Sequence, residues 1–201
     1  MKMVEAMRSL HACKIFDETR EIPSDEWEQV LEMGRLTPSS FGLEHTRILL
    51  IRSKTLREQI QPLCWNQKQI PTCSELVIFK SKVKDIIAPS DYIVQYMQKL
   101  GLDERFMKRL QEFQAQADTR RNLEDWSMKQ AYLMASSMVN GAGLFGIDSC
   151  YIEGFEREAL ERLLGIDPEL ERIALLVAFG YRVKEPKAKT RISLDELVEI
   201  R

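Results

Sequence analysis

The sequence lacks any long apolar run. The longest, residues 173–179, is far shorter than the roughly 20 residues that a membrane-spanning helix needs. The first ten residues include Lys2, Glu5 and Arg8, and they lack the continuous apolar stretch of a secretory signal peptide. Both absences predict a soluble protein that stays in the cytoplasm and has no membrane partner.

Metal-binding patterns are also missing. The chain has two histidines, His11 and His45, and both are expected in polar or loop surroundings, far from any carboxylate at ligand spacing. Its four cysteines are scattered and form no CxxC pair. They are Cys13, Cys64, Cys73 and Cys150. We predict no metal site, and free thiols in a reducing cytosol.

There is no excess of charge of either sign. Twenty-nine Lys and Arg residues stand against 31 Asp and Glu residues, for a formal net charge of -2. No global field attracts nucleic acid or an anionic membrane, so the expected partner is a small molecule. No GxSxG elbow and no supported set of Ser, His and Asp is present either. The chemistry is therefore expected to come from a cofactor.

The patterns that are present predict one α+β domain over residues 1–201. Ser24 caps an amphipathic helix that ends near Leu36, and Asp125 caps a largely buried helix from Trp126 to about Leu144. A polar helical insertion, or flap, is expected at about residues 90–121, divided by Gly101. The predicted strands are residues 48–51, 76–79, 148–152 and 173–179, the other helices are 55–61 and 156–164, and residues 66–74 form a loop.

A GxGxxG string is formed by Gly141, Gly143 and Gly146. In a dinucleotide-binding fold this string follows a strand and opens a helix. Here a helix precedes it and a strand follows it, so the order is reversed. We interpret these glycines as serving close packing and a helix end.

Several short segments carry groups that can bind a flat, phosphorylated ligand. Lys187, Lys189 and Arg191 alternate in a segment that favours extension, which puts three cations on one side, although a solvated basic tail is the alternative. The other candidates are the donors His11 and Lys14, the hydroxyl-rich turn Pro38, Ser39 and Ser40, the amides Asn66 and Gln69, and the backbone at Ile152, Glu153 and Gly154.

Taken in order, these segments resemble the nitroreductase family of FMN-dependent NAD(P)H oxidoreductases over nearly the whole chain, from about residue 8 to residue 198. No single segment is diagnostic, but the ordered set is specific. The matching stretches are 11–17 (HACKIFD), 37–40 (TPSS), 66–70 (NQKQI), 76–79, 148–155 (DSCYIEGF), 179–182 and 189–198 (KTRISLDELV).

The resemblance implies a layered α+β fold with a central, mainly antiparallel sheet flanked by helices. It also implies an intertwined homodimer with two shared active sites. The cofactor would be bound FMN, with NADH or NADPH as hydride donor. A ping-pong reaction would pass the hydride through flavin N5 to nitroaromatics, quinones or a related small oxidant, with no side-chain nucleophile.

The resemblance also assigns roles to residues. His11, Ala12 and Lys14 would lie at the flavin ring edge and ribityl chain, and Lys14 would stabilise the anionic reduced flavin. Lys189 and Arg191 would bind the phosphate. The remaining contacts would be Asn66 and Gln69 at the pyrimidine edge, the backbone of Ile152, Glu153 and Gly154 near N5, and Pro38, Ser39 and Ser40 from the partner subunit.

This sequence departs from the family pattern at two places. Leu10 and Ala12 stand where the family usually has an arginine and a serine, which removes two flavin contacts. The usual Asn, Gln, Pro, Trp run after the serines appears as Gly42, Glu44, His45 and Thr46. Two alternatives follow: a flavoenzyme with another reductive reaction, such as pterin reduction or dehalogenation, or a non-enzymatic dimer with a decayed flavin site.

The basic segment near the C-terminus yields a first prediction. Arg191→Ala is expected to weaken FMN retention more than it changes the fold, because the residue lies near an exposed terminus. Calorimetric titration with FMN measures the affinity. If the variant binds FMN as the parent does, Arg191 does not hold the phosphate.

Overall fold

Four apolar segments pair into one antiparallel sheet in the computed structural model of this chain, which describes residues 3–116 and 120–201. The strands are β1 (Thr46–Ile51), β2 (Glu75–Lys82), β3 (Asp148–Ile152) and β4 (Glu171–Gly180). Their order is β1-β2-β4-β3, and each neighbouring pair is antiparallel. All the predicted strands are confirmed, and β1 and β3 form the two edges.

Helices flank this sheet. In chain order they are α1 (Met3–Ser9), α2 (Ser24–Arg35), α3 (Lys54–Leu63), α4 (Gln69–Thr72), α5 (Asp91–Leu100), α6 (Glu104–Ala115), α7 (Arg120–Leu144), α8 (Arg157–Leu164) and α9 (Leu194–Leu197). A single 3-10 turn covers Ser40–Gly42. Within the described residues, no helix is both long enough and apolar enough to cross a membrane.

Both faces of the sheet are buried, which explains why its strands are continuous apolar runs. Along β4, Leu176 packs with Ile60 of α3 and Leu160 of α8, on one face of the sheet. Its neighbour Val177 points to the other face, where it packs with α2 and α7. The result is three layers, helices on each side of a central sheet, and it confirms the predicted α+β architecture.

Two segments differ from the sequence prediction. Asp125 lies inside α7 and does not cap it, because Leu123 is also buried and extends the buried side of the helix by a turn. Residues 66–74 are not wholly a loop, since they contain α4, in which Gln69 and Ile70 are buried. Pro71 is tolerated there because the N–H groups in the first turn of a helix have no intrahelical acceptor.

The glycines of the GxGxxG string serve packing, as predicted. A Cβ at Gly141 would lie 2.0 Å from Sδ of Met33, and one at Gly143 would lie 3.1 Å from Leu10. Gly146 follows the end of α7 with a φ of +72°, a conformation that glycine adopts at helix ends. These contacts let α2 and the N-terminal segment approach α7 closely.

The predicted insertion forms two helices, α5 and α6, and Gly101 ends the first of them in the left-handed conformation, as expected. The last part of the insertion, residues 117–119, lies outside the described residues. Leu43 packs with Ile93, Phe106 and Leu110 in a small apolar cluster, and the partly buried Trp126 lies against it. The two helices therefore rest on α7 and on the loop that follows Ser40.

Candidate functional site

The segment that follows α1 runs beside the edge strand β3. Ala12 forms a parallel bridge with Ser149, and the N–H of Cys13 donates to the Ser149 carbonyl at 3.0 Å. This pairing fixes the direction of the next side chain, Lys14. Its ammonium lies 3.4 Å from Sγ of Cys150, which points inward from β3.

From Cys150 a series of side-chain hydrogen bonds leads to the turn after β3. Gln69 lies with its Nε2 3.6 Å from the Cys150 sulfur, and the same group donates to Oε1 of Gln67 at 2.7 Å. Gln67 in turn donates to the Gly154 carbonyl at 2.8 Å. We call Lys14, Cys150, Gln69, Gln67 and Gly154 the site chain. Three of these residues, Lys14, Gln69 and Gly154, were predicted from the sequence as site residues. Cys150 and Gln67, which connect them, were not.

Trp65 explains why a glycine follows Glu153. A Cβ at Gly154 would lie 2.5 Å from the Trp65 ring, so only glycine allows the two segments to meet. Trp65 and Asn66 have φ values of +54° and +55°, which are uncommon for residues other than glycine. The indole is 66% exposed, and its Nε1–H donates to Glu156 at 3.0 Å. This conformation places the indole beside the predicted N5 backbone.

The Glu153 side chain is held by α7. The hydroxyl of Tyr132, on α7, donates to Oε1 of Glu153 at 2.6 Å. Burial, followed by this hydrogen bond, raises the pKa of Tyr132 to about 12, so the hydroxyl stays protonated and remains a donor. The predicted role of Glu153 through its backbone is compatible with this position.

His11 is closer to a carboxylate than the sequence suggested. Its Nδ1 lies 3.6 Å from Oδ1 of Asp148, so the expectation that both histidines lie far from carboxylates is wrong for His11. The same carboxylate accepts from the backbone N–H of Arg182 and from its guanidinium, both at 2.9 Å. The β4–β3 pairing brings these groups together, which residue spacing alone does not reveal. Among the residues in the described ranges, no cluster of His, Cys, Asp and Glu forms a metal site.

Pro38, Ser39 and Ser40 lie near the other edge of the sheet. Pro38 and Ser39 line a cavity of about 400 Å³ that none of the site chain lines. The N–H of Ser40 donates to Oε1 of Gln130 at 2.9 Å, and the hydroxyl of Ser39 accepts from the N–H of Glu44 at 3.1 Å. Within this single chain the structure therefore does not bring the turn to the site chain.

His45 lies in the loop before β1, as the sequence predicts, but its side chain is wholly buried behind that turn. Its Nε2 lies 3.2 Å from the Ser40 carbonyl and its Nδ1 lies 3.2 Å from the Ser127 hydroxyl. Its ring packs edge-on against Trp126 with 4.5 Å between the centroids. Burial lowers the pKa of His45 to about 4, against a raising effect of the Ser40 carbonyl. The ring is neutral at pH 7 and supports the turn.

The basic segment beyond β4 is exposed, and it reaches the end of α1. The Lys189 ammonium donates to the Met7 carbonyl at 2.6 Å. Partial burial, and then the charge of Arg191, lower the pKa of Lys189. These two cations therefore lie near one another and a few residues from His11. An anion between them would relieve their repulsion.

A polar cleft of about 460 Å³ lies elsewhere and includes none of the predicted site residues. Arg57 lines it, but its guanidinium donates to the carbonyl oxygens of Ile51, Cys73 and Ser74. The role of Arg57 is thus to join α3 to the sheet.

Comparison with known proteins assigns the chain to a family. The model of the nitroreductase family matches residues 7–181. A Bacillus subtilis protein with the provisional name NAD(P)H nitroreductase YfkO is 34% identical, over 98% of this chain and 96% of the relative. The chain belongs to the nitroreductase family.

Solved structures share the fold. One is a provisionally named nitroreductase from Exiguobacterium sibiricum in complex with FMN, with a TM-score of 0.81, 21% identity and coverage of 100% of this chain and 98% of that one. Another is the NADPH:FMN oxidoreductase of Vibrio harveyi complexed with NAD+, with a TM-score of 0.74, 16% identity and coverage of 98% and 76%.

Three contributors to the site were missed from the sequence. Gln67 lies two residues before Gln69, a spacing that in hindsight marks a pair of adjacent amides. Cys150 lies two residues before Ile152 in β3, so both side chains point to the same face of the sheet. Trp65 precedes Asn66 and carried no signal beyond being a large aromatic residue in a polar stretch.

The buried imidazole yields a second prediction: His45→Gln is expected to make folding less sensitive to acid. Because the folded-state pKa lies near 4, below the ordinary 6.5, its contribution to stability is present above pH 6.5 and is lost as the pH falls toward 4. Between pH 7 and pH 4.5 the parent should lose about 2 kcal/mol more unfolding free energy than the variant.

Urea unfolding at both pH values measures this difference. Between pH 8 and pH 9 the difference between the two proteins should stay nearly constant, because His45 is almost wholly neutral there in both the folded and the unfolded state. Equal losses on acidification would show that His45 is not held neutral by burial.

Proposed function

We propose that this protein is an FMN-dependent oxidoreductase that uses NADH or NADPH to reduce nitroaromatics, quinones or a related small oxidant. The observation that carries the proposal is the site chain, which gathers a cation, two amides and a glycine backbone at the end of β3. The names of the relative and of the neighbours with FMN and NAD+ support the same activity.

The donors at one end of the site chain match the pyrimidine edge of a flavin. That edge has two carbonyl oxygens that accept and one N–H that donates. The Lys14 ammonium supplies donors and the Asn66 amide can donate and accept. Gln69 offers its carbonyl oxygen, because its amide nitrogen already donates to Gln67 and Cys150. Gln69 is 2% exposed and is held by its neighbours, so it is preorganised. We propose that these three residues hold the pyrimidine edge, with His11 and Ala12 beside them.

The phosphate would be bound by Lys189 and Arg191. Their two cations lie close enough to affect one another, and the Lys189 bond to Met7 holds the segment over the end of α1. Charge-assisted hydrogen bonds to a phosphate are about twice as strong as neutral ones. Leu10 removes one expected flavin contact, which these two cations do not replace.

A flavin held by these residues would supply hydride-transfer chemistry at N5. The residues of this chain would orient the flavin and stabilise its reduced form. The Lys14 charge favours the negative charge that reduction adds to the ring, and Ile152, Glu153 and Gly154 present backbone beside N5. Because Gly154 has no side chain, this backbone can approach closely. We propose that nicotinamide and oxidant use the same open face in turn, as a ping-pong reaction requires.

We further propose a homodimer in which Pro38, Ser39 and Ser40 of the partner complete each site. This accounts for their position at the opposite edge of the sheet from the site chain. Exposed apolar residues supply a surface for the partner: Leu133 on α7 is 51% exposed, and α1 and the C-terminal segment contribute others. These are Met3, Val4, Met7, Ile192, Leu194, Leu197, Val198 and Ile200.

A third prediction tests the activity. The purified protein should be yellow, and it should oxidise NADH or NADPH when given a nitroaromatic or a quinone. Lys14→Met keeps the length of the side chain and removes its charge. It should slow flavin reduction by NAD(P)H about 100-fold, the lower end of the effect of removing one electrostatic group from an active site.

Lys84→Met, at an exposed lysine away from the site, is the matched control and should retain the parent rate. Stopped-flow absorbance of the flavin follows the reduction step. A colourless protein that neither takes up FMN nor consumes reduced nicotinamide would refute the proposal.

A fourth prediction tests the shared site. Leu133→Arg should convert the dimer to a monomer and release FMN in the same step, because it places an unpaired charge in the proposed interface. Leu163→Arg, on the exposed side of α8, should do neither. Analytical ultracentrifugation followed at the protein absorbance reports the oligomeric state, and the flavin absorbance in the same run reports FMN release. A monomeric parent protein that retains FMN would contradict the shared site.

A further inference from the structure

Cys150 has a complete set of hydrogen-bond partners at the start of the site chain. Its S–H donates to the Tyr151 carbonyl at 3.4 Å, and its sulfur accepts from Lys14 at 3.4 Å and from Gln69 at 3.6 Å. A thiol has one weak donor and a weak acceptor, so each function is used. The residue is 1% exposed and is fixed within β3.

The position of the Lys14 ammonium depends on its contact with Cys150, because the rest of the side chain is not enclosed by the protein. The residue is exposed overall, and a lysine side chain is flexible, so an ammonium without a partner would occupy many positions in solvent. Gln69 is buried, and the sulfur and the Gln67 carbonyl oxygen accept from the same amide nitrogen. The thiol is therefore the common contact of Lys14 and Gln69, two of the three residues assigned to the pyrimidine edge.

We propose that Cys150 is a positioning residue for the flavin, which places the Lys14 ammonium and the Gln69 amide and so raises the reduction potential of the bound cofactor. The inference rests on the proposed FMN site. The thiol acts through these two neighbours and takes no part in hydride transfer.

The charge state of the thiol supports this role. Burial raises the pKa of Cys150, against the lowering effect of Lys14, so the sulfur stays protonated. A thiolate 3.4 Å from the ammonium would cancel the charge that reduction of the flavin requires nearby. A neutral acceptor holds the lysine without neutralising it.

Two substitutions separate positioning from space filling. Cys150→Val keeps a side chain of similar volume and loses both the donor and the acceptor. Cys150→Ser keeps both functions in a smaller group. A residue that only fills space would be replaced better by valine, and a positioning residue would be replaced better by serine.

The measurement is the midpoint potential of the bound flavin, together with FMN affinity by calorimetry. In Cys150→Val, reduced FMN should lose about tenfold in affinity relative to oxidised FMN, a shift of about 30 mV to more negative potential. Cys150→Ser should remain within about threefold of the parent. Cys73→Val and Cys73→Ser, at a buried cysteine outside the site chain, should leave the potential unchanged. If valine distorts the strand, Cys150→Ala gives the same comparison.

A double-mutant cycle tests whether Cys150 acts through Lys14. In the Lys14→Met background, Cys150→Val should shift the potential much less than it does in the parent. An unchanged potential in Cys150→Val, a valine that replaces the thiol as well as serine does, or equal shifts in both backgrounds would overturn the positioning role and leave the FMN proposal intact. A parent protein that binds no FMN would overturn both.

Discussion

The site depends on how the chain enters and leaves strand β3. At its start, the pairing of Ala12 with Ser149 aligns a distant segment along this edge, and the alternation of the strand then points Cys150 toward Lys14. At its end, the turn at Gly154 offers a carbonyl to Gln67. Both ends of the site chain are therefore fixed by one short strand, whose position is set by its pairing with β4.

The turn after this strand also explains the positive φ values of two neighbouring residues. Trp65 and Asn66 adopt left-handed conformations that cost of order 1–2 kcal/mol each for residues other than glycine. What offsets this cost is contact: the indole packs on Gly154 and donates to Glu156, and Asn66 donates its N–H to Gln61. Strain of this kind is typical of ligand-binding segments, because the surrounding structure must hold them in place before the ligand arrives.

Some of this arrangement follows from the sequence and some does not. The strands were predictable because a sheet buried on both faces needs continuous apolar runs, and Gly101 was predictable as the end of a helix. The side-chain chemistry made Lys14, Gln69 and Gly154 candidates and the family resemblance gave them roles, but neither showed the contacts that join them. Lys14 and Cys150 are 136 positions apart, and only the pairing of two backbone segments brings them together.

At His45 and Pro71 the local sequence suggests a different environment from the one in the structure. His45 lies between Glu44 and Thr46, so local composition predicts exposure, yet Trp126, from another part of the chain, covers it. Pro71 suggested a loop, but proline is acceptable in the first turn of a helix, where α4 accommodates it. In both cases a tertiary contact or a position within an element decided the outcome, and neither is visible in a short window of sequence.

The two edges of the sheet carry different kinds of preorganisation. Near β1, the turn at Ser39 and Ser40 is held by uncharged groups, Gln130 and the neutral His45, so its geometry does not rely on ion pairs that salt would screen. Near β3, the one cation of the site chain is held by a neutral thiol, so its charge stays available. A carboxylate partner would have held Lys14 more firmly but would have cancelled the field it exerts on a ligand. The weaker acceptor therefore suits a site in which a positive charge must be both fixed and unpaired.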